Sequence, residues 1–235
     1  MIDLHFVRTS NGQKMAIMLE EVGLDYNIIY YDIFAGDHLK PDFKRINPNQ
    51  RLPALVDHSP VGGEGPLIIA ETGAMLLYLA EKSGQLLPVE MHARWTAIQW
   101  LTWQISGLGP MLGQAYHFAR YAPEGEQYGV GRYTSEARRL LSVLDARLAQ
   151  TVYLAGDYSV ADIACWPWVQ NVANLNIDRA SYPHIQEWFE KIADRPAVRR
   201  VLESADTAVP AGYTKRRMTL SPTEWSNLFG RVNCD

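Results

Sequence analysis

The stretch RTSNGQK, residues 8–14, gathers hydrogen-bonding side chains where an apolar strand pattern gives way to a helical one. Thr9 and Ser10 carry hydroxyls, Asn11 carries an amide, and Gly12 has no side chain. The stretch contains no Cys, His or Tyr. Any chemistry at this junction must therefore use hydroxyl, amide and backbone groups. Which reaction these groups support depends on the ligand that they bind.

Stronger catalytic groups form no cluster in the sequence. The six histidines make no HExxH motif and no Cys/His pair at metal-ligand spacing, so we expect no metal site. No G-x-S-x-G motif and no phosphate loop occur. Cys165 follows an apolar helix start, which favours a buried small residue over a nucleophile. We expect core roles for five tryptophans: Trp95, Trp100, Trp103, Trp166 and Trp168. The remaining candidates for a functional site are backbone groups and helix ends.

Two such features stand out. In QRLPALVD, Pro53 precedes a strand expected inside the sheet, where proline cannot donate to the ladder. A cis Leu52–Pro53 bond in a turn explains it and would free the backbone of Leu52 to pair with a visiting peptide. The second feature is Ala70-Glu71-Thr72-Gly73 at a helix start, where a carboxylate can bind and Glu71 can hold an ammonium. Together they predict a site for a short zwitterionic peptide.

The elements that must position these groups read as βαβ followed by ββα. Predicted strands and helices alternate through the first part of the chain, and an apolar stripe from Met15 to Val22 marks the first helix, with Ser10 or Asn11 as its N-cap and Gly23 at its end. The predicted strands are 2–7, 27–33, 51–58 and 66–70, and a second long helix covers 71–84. This order predicts a four-stranded mixed sheet within residues 1–86.

From His92 onwards every periodic segment is helical, which predicts an all-α domain over residues 92–205. A long helix at 95–112 should be interrupted near Gly107–Pro110, and Ser159 with Asp162 forms a capping box. The tail, 206–235, carries a second capping box at Ser221–Glu224, which predicts a short helix. We expect that helix to dock through Trp225, Leu228 and Phe229.

Composition narrows the function classes. The 235 residues are 47% hydrophobic and 20% charged, with a formal net charge of −4, and the one basic run, TKRRM, is short, so no nucleic-acid partner is expected. No apolar stretch reaches about 18 residues, and the N-terminus lacks a signal-peptide pattern, so we expect no membrane association. Cys165 and Cys234 cannot form a disulfide framework, and reduced thiols in the cytoplasm are expected.

Several runs of residues resemble the glutathione S-transferase family. L-P-A-L-V-D at 52–57 and E-T-G-A-M-L-L-Y-L-A-E-K at 71–82 are similar to its glutathione-binding domain, which has a thioredoxin fold. Y-S-V-A-D-I-A at 158–164 is similar to the capping box of its helical domain. The resemblance covers about residues 1–205 and implies a thioredoxin-like α/β domain followed by a helical bundle.

Other runs resemble more narrowly the bacterial Nu class, the disulfide-bond oxidoreductase relatives. They are T-S-N-G at 9–12, D-H-S-P at 57–60, W-Q-x-x-G-L-G-P-M-L-G-Q at 103–114 and A-D-I-A-C-W-P-W at 161–168. By this resemblance, Thr9 and Asn11 would face the sulfur of glutathione, replacing the Tyr, Ser or Cys of other classes. RTSNGQK then need not react, because the thiol arrives with glutathione.

The resemblance also implies the residues that bind the rest of the tripeptide. Gln50 and Leu52 would hold the cysteinyl-glycine backbone, and Glu71 with Thr72 the γ-glutamyl end; most members have serine where this chain has Thr72. The full implied set is Gln50, Arg51, Leu52, Pro53, Glu71 and Thr72, with Arg132 from the helical domain.

The implied protein is a cytoplasmic homodimer that uses two glutathiones, and no metal, to reduce small disulfides or peroxides. Apolar surface on the helices at 93–118 and 128–149 agrees with a dimer. Two alternatives stay open. One is conjugation of glutathione to small electrophiles, or a ring-opening or dehalogenating relative of that reaction. The other is a non-catalytic glutathione-binding stress protein.

Overall fold

The computed structural model describes residues 1–63 and 65–230. Strands come first and helices follow: β1 (Ile2–Phe6), α1 (Ser10–Val22), β2 (Tyr26–Tyr30), α2 (Pro41–Ile46), β3 (Ala54–Asp57), β4 (Leu67–Ala70), α3 (Thr72–Ser83), α4 (Met91–Trp103), α5 (Gly109–Tyr121), α6 (Tyr128–Leu148), α7 (Val160–Val169), α8 (Pro183–Ala193), α9 (Pro196–Glu203), α10 (Tyr213–Met218) and α11 (Pro222–Phe229). A π-helical segment, Gln104–Leu108, joins α4 to α5.

The four strands form one mixed sheet in the order β2-β1-β3-β4. β1 runs parallel to β2, as predicted for a crossover through a helix, while β1–β3 and β3–β4 are antiparallel. His5 pairs with Ala54, and Ala54 pairs with Ala70. The C-terminal end of β1, the N-terminal end of β3 and the C-terminal end of β4 therefore lie at the same edge of the sheet.

Two strands are shorter than the predicted 27–33 and 51–58. β2 ends early because a turn begins at Asp32, whose carboxylate accepts the backbone N–H of Phe34 at 2.9 Å. β3 begins only after Pro53, which has no N–H to give to the ladder. The core beside this sheet is apolar and includes side chains of α1: Leu4, Phe6, Met15, Met18, Leu19 and Leu55 are fully buried.

The N-cap of α1 differs from the prediction. Ser10 or Asn11 was expected to cap the helix, but Ser10 is already helical, so it cannot take the non-helical conformation of a cap. Thr9 does so, with φ −123° and ψ 170°, and its Oγ1 accepts the Gly12 N–H at 3.2 Å. The predicted end of the helix is confirmed, because Gly23 follows α1 in the left-handed conformation with φ 66°.

The long helix predicted over 95–112 is interrupted as expected. The N–H of Gly109 donates to the carbonyl of Gln104, five residues earlier, which is the π-helical bond. A Cβ on Gly109 would lie 2.7 Å from the side-chain nitrogen of Gln104, so glycine permits this close approach. α4 begins earlier than predicted because the Glu90 carboxylate caps it, accepting the N–H of His92 at 3.0 Å.

The predicted capping box at the start of α7 is confirmed. Ser159 donates its backbone N–H to Asp162 at 3.1 Å, and Asp162 also accepts from the Leu154 N–H at 3.0 Å and the Trp188 indole at 2.9 Å. Burial raises the pKa of Asp162 to about 6, against hydrogen bonds that lower it. A local helix signal thus also links α7 to the buried Trp188 of α8.

The tryptophans do not all lie in the core. Trp166 is fully buried, stacks on Phe189 at 4.8 Å and donates its indole N–H to the Phe189 carbonyl. Trp95 is 63% exposed, so the prediction of a core role was wrong for it. Ala97 and Leu101 are buried on the opposite face of α4, which leaves Trp95 outside. Of the five tryptophans expected in the core, Trp100, Trp103 and Trp168 are partly buried.

The tail contains the predicted helix, α11, with its capping box between Ser221 and Glu224. The Ser221 backbone N–H, then the Arg216 guanidinium and the Ser221 hydroxyl, bind the Glu224 carboxylate and lower its pKa to about 2. Glu224 and Arg216 also link α11 to α10 as an ion pair.

The tail contacts the turn that follows β2. Asn227 donates its amide to the carbonyl of Phe34 at 2.7 Å, and the ring of Tyr213 lies edge-on to the Phe34 ring at 5.0 Å. Arg216 donates to Asp32 at 2.8 Å. Docking through Trp225, Leu228 and Phe229 in particular stays a prediction, because these contacts come from other side chains.

The chain divides into two compact units, residues 1–75 with the tail from Arg200, and residues 76–199. The predicted boundaries, 1–86, 92–205 and 206–235, stay a prediction. Among the described residues, no helix combines the length and the apolar character needed to cross a membrane.

Candidate functional site

Three segments that are far apart in sequence meet at one edge of the sheet. Residues 7–11 follow β1, residues 50–53 precede β3, and residues 71–72 follow β4. The strand register brings these ends together, since His5, Ala54 and Ala70 are successive partners across the sheet. All predicted site residues except Arg132 lie on these segments.

Gly12 allows the first segment to reach the edge. A Cβ at this position would lie 2.2 Å from the Val7 carbonyl oxygen and 3.0 Å from the Phe6 ring, so only glycine lets α1 pack this closely. The first turn of α1 then presents backbone N–H groups that have no acceptor within the helix. Asn11 lies in that turn and is half-buried.

Thr9 uses its hydroxyl oxygen as an acceptor for the Gly12 N–H. Because the oxygen accepts there, the hydroxyl hydrogen can still be donated to a ligand. Thr9 is half-buried at the positive end of the α1 dipole. The arrangement suits a negatively charged atom of a ligand.

The second segment is organised by Asn47, which is buried. Its amide donates to the Arg51 carbonyl at 2.7 Å, its side-chain oxygen accepts the Asn49 N–H at 3.0 Å, and its own carbonyl accepts the Gln50 N–H at 2.8 Å. Gln50 is left-handed, with φ 52°. Asn47 was not among the predicted site residues, although the Asn-Pro-Asn run at 47–49 is a turn signal.

The Leu52–Pro53 bond is cis, as predicted. Pro53 is buried and Leu52 is half-buried. Within residues 1–63 and 65–230, the backbone N–H and C=O of Leu52 take part in no hydrogen bond of the chain. Both groups are available to pair with the backbone of a peptide.

The third segment is the start of α3. Glu71 is exposed, adopts φ 68°, and accepts the Met75 N–H on its carbonyl at 2.9 Å. A left-handed non-glycine residue is uncommon and recurs at functional sites. Thr72 follows at the first helical position and is buried.

Lys14 reaches this segment from α1. Its Nζ donates to the Thr72 hydroxyl oxygen at 3.3 Å, and the residue is only 1% exposed. Lys14 was not among the predicted site residues. The available signal was its position on the apolar face of α1, four residues before Met18.

Two ionisable groups near this edge have perturbed pKa values. Burial lowers the pKa of His5, whose Nδ1 lies 2.8 Å from the Tyr31 hydroxyl. Burial also lowers the pKa of Arg8, which donates to the Thr207 carbonyl at 2.6 Å. His5 is therefore neutral at pH 7, and Arg8 anchors the segment beside Thr9.

Arg132 belongs to the other unit, in the first turns of α6. Its guanidinium lies 3.5 Å from Glu136, which Arg139 binds more closely at 2.7 Å, and the Arg132 side chain is 53% exposed. Its role in binding stays a prediction. Cys165 is fully buried in α7, as predicted, and Cys234 lies outside the described residues. The described part of the chain contains no cluster of three or more side chains able to hold a metal ion.

Comparison with known proteins defines the class. The N-terminal domain of glutathione S-transferases matches residues 2–81, and the C-terminal domain of the same family matches residues 114–196. The chain belongs to the glutathione S-transferase family. The predicted family and its fold, a thioredoxin-like domain followed by helices, are confirmed.

Individual relatives are similar over most of the chain. The disulfide-bond oxidoreductase YfcG of Escherichia coli (strain K12) is 49% identical over 206 residues, or 87% of this chain and 96% of that protein. A solved glutathione transferase family member from Pseudomonas fluorescens, with two glutathione bound, has a TM-score of 0.80 and 39% identity over 85% of this chain and 91% of its own. A glutathione transferase from Pseudomonas putida, with one glutathione disulfide bound per subunit, has a TM-score of 0.81 and 38% identity. The match covers 89% of this chain and 92% of that chain.

Proposed function

We propose that this protein is a glutathione-dependent thiol enzyme that reduces small disulfides or peroxides with two molecules of glutathione. The similarity to a disulfide-bond oxidoreductase and to structures holding two glutathiones or one glutathione disulfide supports this reaction over simple conjugation. The observation that carries the proposal is local. Thr9 and the first turn of α1 offer donors at the sheet edge, where residues 1–63 and 65–230 supply no thiol, and Cys165 is fully buried in α7.

In this proposal the tripeptide lies across the three segments of the sheet edge. Glu71 binds its γ-glutamyl ammonium, and Thr72 with the start of α3 binds the adjoining carboxylate. The backbone of Leu52 pairs with the cysteinyl residue, and Gln50 flanks it. Arg51 and Pro53 flank this backbone, and Arg132 is the last residue that we propose for glutathione binding.

Thr9 and Asn11 then stabilise the glutathione thiolate. A free thiol has a pKa of about 8.5, so little thiolate exists at neutral pH. Lowering that pKa by two units requires about 2.7 kcal/mol of preference for the anion. The helix terminus supplies about 0.3 to 1 kcal/mol, up to about 2 when partly buried. Each hydrogen bond to the charged sulfur adds about 1.5 to 3 kcal/mol, so two donors with the helix suffice.

The reaction then follows thiol–disulfide exchange. The first glutathione thiolate attacks one sulfur of the substrate disulfide, forming a mixed disulfide and expelling the other half as a thiolate that takes up a proton. The thiolate of a second glutathione attacks the glutathione sulfur of the mixed disulfide and expels the remaining half. Two glutathiones and one disulfide thus become glutathione disulfide and two thiols. With a peroxide, the same two glutathiones give glutathione disulfide, an alcohol and water.

We also propose a homodimer working in the cytoplasm. Large apolar side chains remain exposed on the helical unit, among them Met91 and Trp95 on α4 and Tyr128 on α6, which supports a second copy as their partner. Reduction by glutathione requires a compartment that keeps glutathione reduced, which supports the cytoplasm. No metal takes part in the proposed reaction.

The test is a comparison of two substrates at fixed glutathione concentration. We expect the purified protein to convert 2-hydroxyethyl disulfide, with glutathione disulfide formed in equal amount, and to conjugate 1-chloro-2,4-dinitrobenzene far more slowly. Fast conjugation without disulfide reduction would contradict the proposal in favour of a conjugating transferase. Glutathione binding without turnover of either substrate or of a peroxide would contradict it in favour of a binding protein.

A further inference from the structure

We infer that Lys14 is a positioning residue that orients the Thr72 hydroxyl toward the γ-glutamyl carboxylate of glutathione. The inference rests on the proposed function, because it concerns how the same site selects that end of the tripeptide. It adds a second residue of α1, one turn beyond Asn11, and this residue acts at the start of α3.

The direction of the hydrogen bond carries the inference. Lys14 Nζ donates to the Thr72 hydroxyl oxygen at 3.3 Å, and a protonated amine has no lone pair with which to accept from that hydroxyl. A hydroxyl oxygen that accepts from Lys14 keeps its own hydrogen for another partner. Thr72 then presents that hydrogen as a donor, which suits a carboxylate.

The burial of Lys14 argues that it has a specific role. Lysine is almost never fully buried unless its ammonium is paired, because removing the charge from water is unfavourable. Lys14 is 1% exposed and lies on the helix face that it shares with Met18, where an apolar residue would pack without that penalty. A protonated Lys14 would place positive charge beside the first residue of α3, where the helix dipole already favours an anion.

Charge and hydrogen bonding therefore act on the same ligand group. Glu71, next to Thr72 in the sequence, carries negative charge. The γ-glutamyl ammonium therefore meets the Glu71 carboxylate, and the γ-glutamyl carboxylate meets the Thr72 hydroxyl with Lys14 behind it. A peptide without the γ-glutamyl residue has no group to fill this place. We expect Lys14 to matter for glutathione and not for the dipeptide cysteinylglycine.

The experiment is a double-mutant cycle measured with both ligands by calorimetry. Lys14→Met should weaken glutathione binding about tenfold or more and cysteinylglycine binding by no more than about twofold. In the Thr72→Val background, which has already lost the hydroxyl, Lys14→Met should add no more than about twofold. Lys215→Met, which removes an exposed positive charge on α10, is the control and should bind glutathione like the wild type.

Equal weakening of both ligands, losses that add in the double mutant, or no loss in Lys14→Met would each overturn the inference. If Lys14→Met does not fold, Lys14→Arg gives the decision with the same ligands. Retention of the preference for glutathione over the dipeptide supports a cationic donor at this position, and loss of that preference contradicts it. A wild type that does not bind glutathione would refute the proposed function itself, whereas binding with an unaffected Lys14→Met refutes only the role of Lys14.

Discussion

At the scale of single residues, the Thr9 hydroxyl has a structural role in capping α1 and a proposed catalytic role as a donor to the glutathione sulfur. Its oxygen caps α1 by accepting the Gly12 N–H at 3.2 Å, and its hydrogen is left for the glutathione sulfur. Serine can do both, whereas alanine can do neither. The catalytic use of Thr9 can therefore be separated from its structural use by comparing substitutions.

We predict that Thr9→Ala lowers kcat/KM for 2-hydroxyethyl disulfide at least about tenfold, equivalent to about 1.4 kcal/mol, while Thr9→Ser keeps most of the activity. The loss arises because the bound thiolate loses a donor, so its apparent pKa should rise. The ultraviolet absorbance of the thiolate, followed against pH with glutathione bound, measures that rise. Asn11→Ala should lose a similar amount or less.

Loss of the helix cap needs its own control, because removing an N-cap costs about 1 kcal/mol of stability. Ser221→Ala removes the cap of α11 and should lower stability comparably without changing the thiolate pKa. A Thr9→Ala enzyme with an unchanged thiolate pKa and full activity would contradict the role given to Thr9.

The residues of the site differ in how far the sequence could reveal them. Glu71 and Leu52 were marked by local signals, a helix start and a proline before a strand. Lys14 was not, because its partner Thr72 is 58 positions away and the bond exists only once the fold brings α1 to the first residue of α3. Even the cap of α1 was assigned to neighbouring residues, since Thr9, Ser10 and Asn11 are all good N-caps.

At the scale of elements, capping boxes were reliable signals. Those at Ser159 and Ser221 fix the starts of α7 and α11 within a residue, because their hydrogen bonds are local. Strand ends were less predictable. β2 stops where the Asp32 side chain begins a turn, and that choice depends on side-chain hydrogen bonds rather than on β propensity.

The tail helix provides a prediction about pH. The pKa of Glu224 falls from an ordinary 4.5 to about 2, because the Ser221 backbone N–H and the Arg216 guanidinium bind its charged form. A carboxyl with a depressed folded-state pKa contributes stability above its unfolded pKa and loses that contribution as the pH falls through the folded value. We expect the wild type to melt above Glu224→Gln at neutral pH, with the difference shrinking as the pH falls below 4.5 toward about 2. Melting curves of both proteins across this range measure it, and a difference that does not change with pH would contradict it.

At the scale of the whole molecule, the order of elements and the family were predictable because strand, helix and cap signals agreed along the chain. The association of the tail with the turn after β2 was not predictable from the sequence. It depends on pairs such as Arg216 with Asp32 and Asn227 with Phe34, which no local pattern marks.

The exposed aromatic surface of the helical unit predicts self-association. Trp95 is 63% exposed on α4, one turn from the exposed side chain of Met91, and a contiguous exposed apolar patch marks an interface. We expect sedimentation to show a dimer at micromolar concentration, and Trp95→Glu to weaken it. Val152→Glu places the same charge at another exposed apolar position and should leave the dimer intact. A monomeric wild type at that concentration would refute the prediction.

The central claim is that the reacting thiol belongs to glutathione and not to the protein. The most direct measurement is the glutathione-dependent reduction of 2-hydroxyethyl disulfide by the cysteine-free double variant, Cys165→Ala with Cys234→Ser, with circular dichroism to verify its fold. We predict a rate within about threefold of the wild type, because stabilisation of the thiolate rests on Thr9, Asn11 and the start of α1. A variant that is folded but inactive would contradict the account, because the thiol would then be the protein's own.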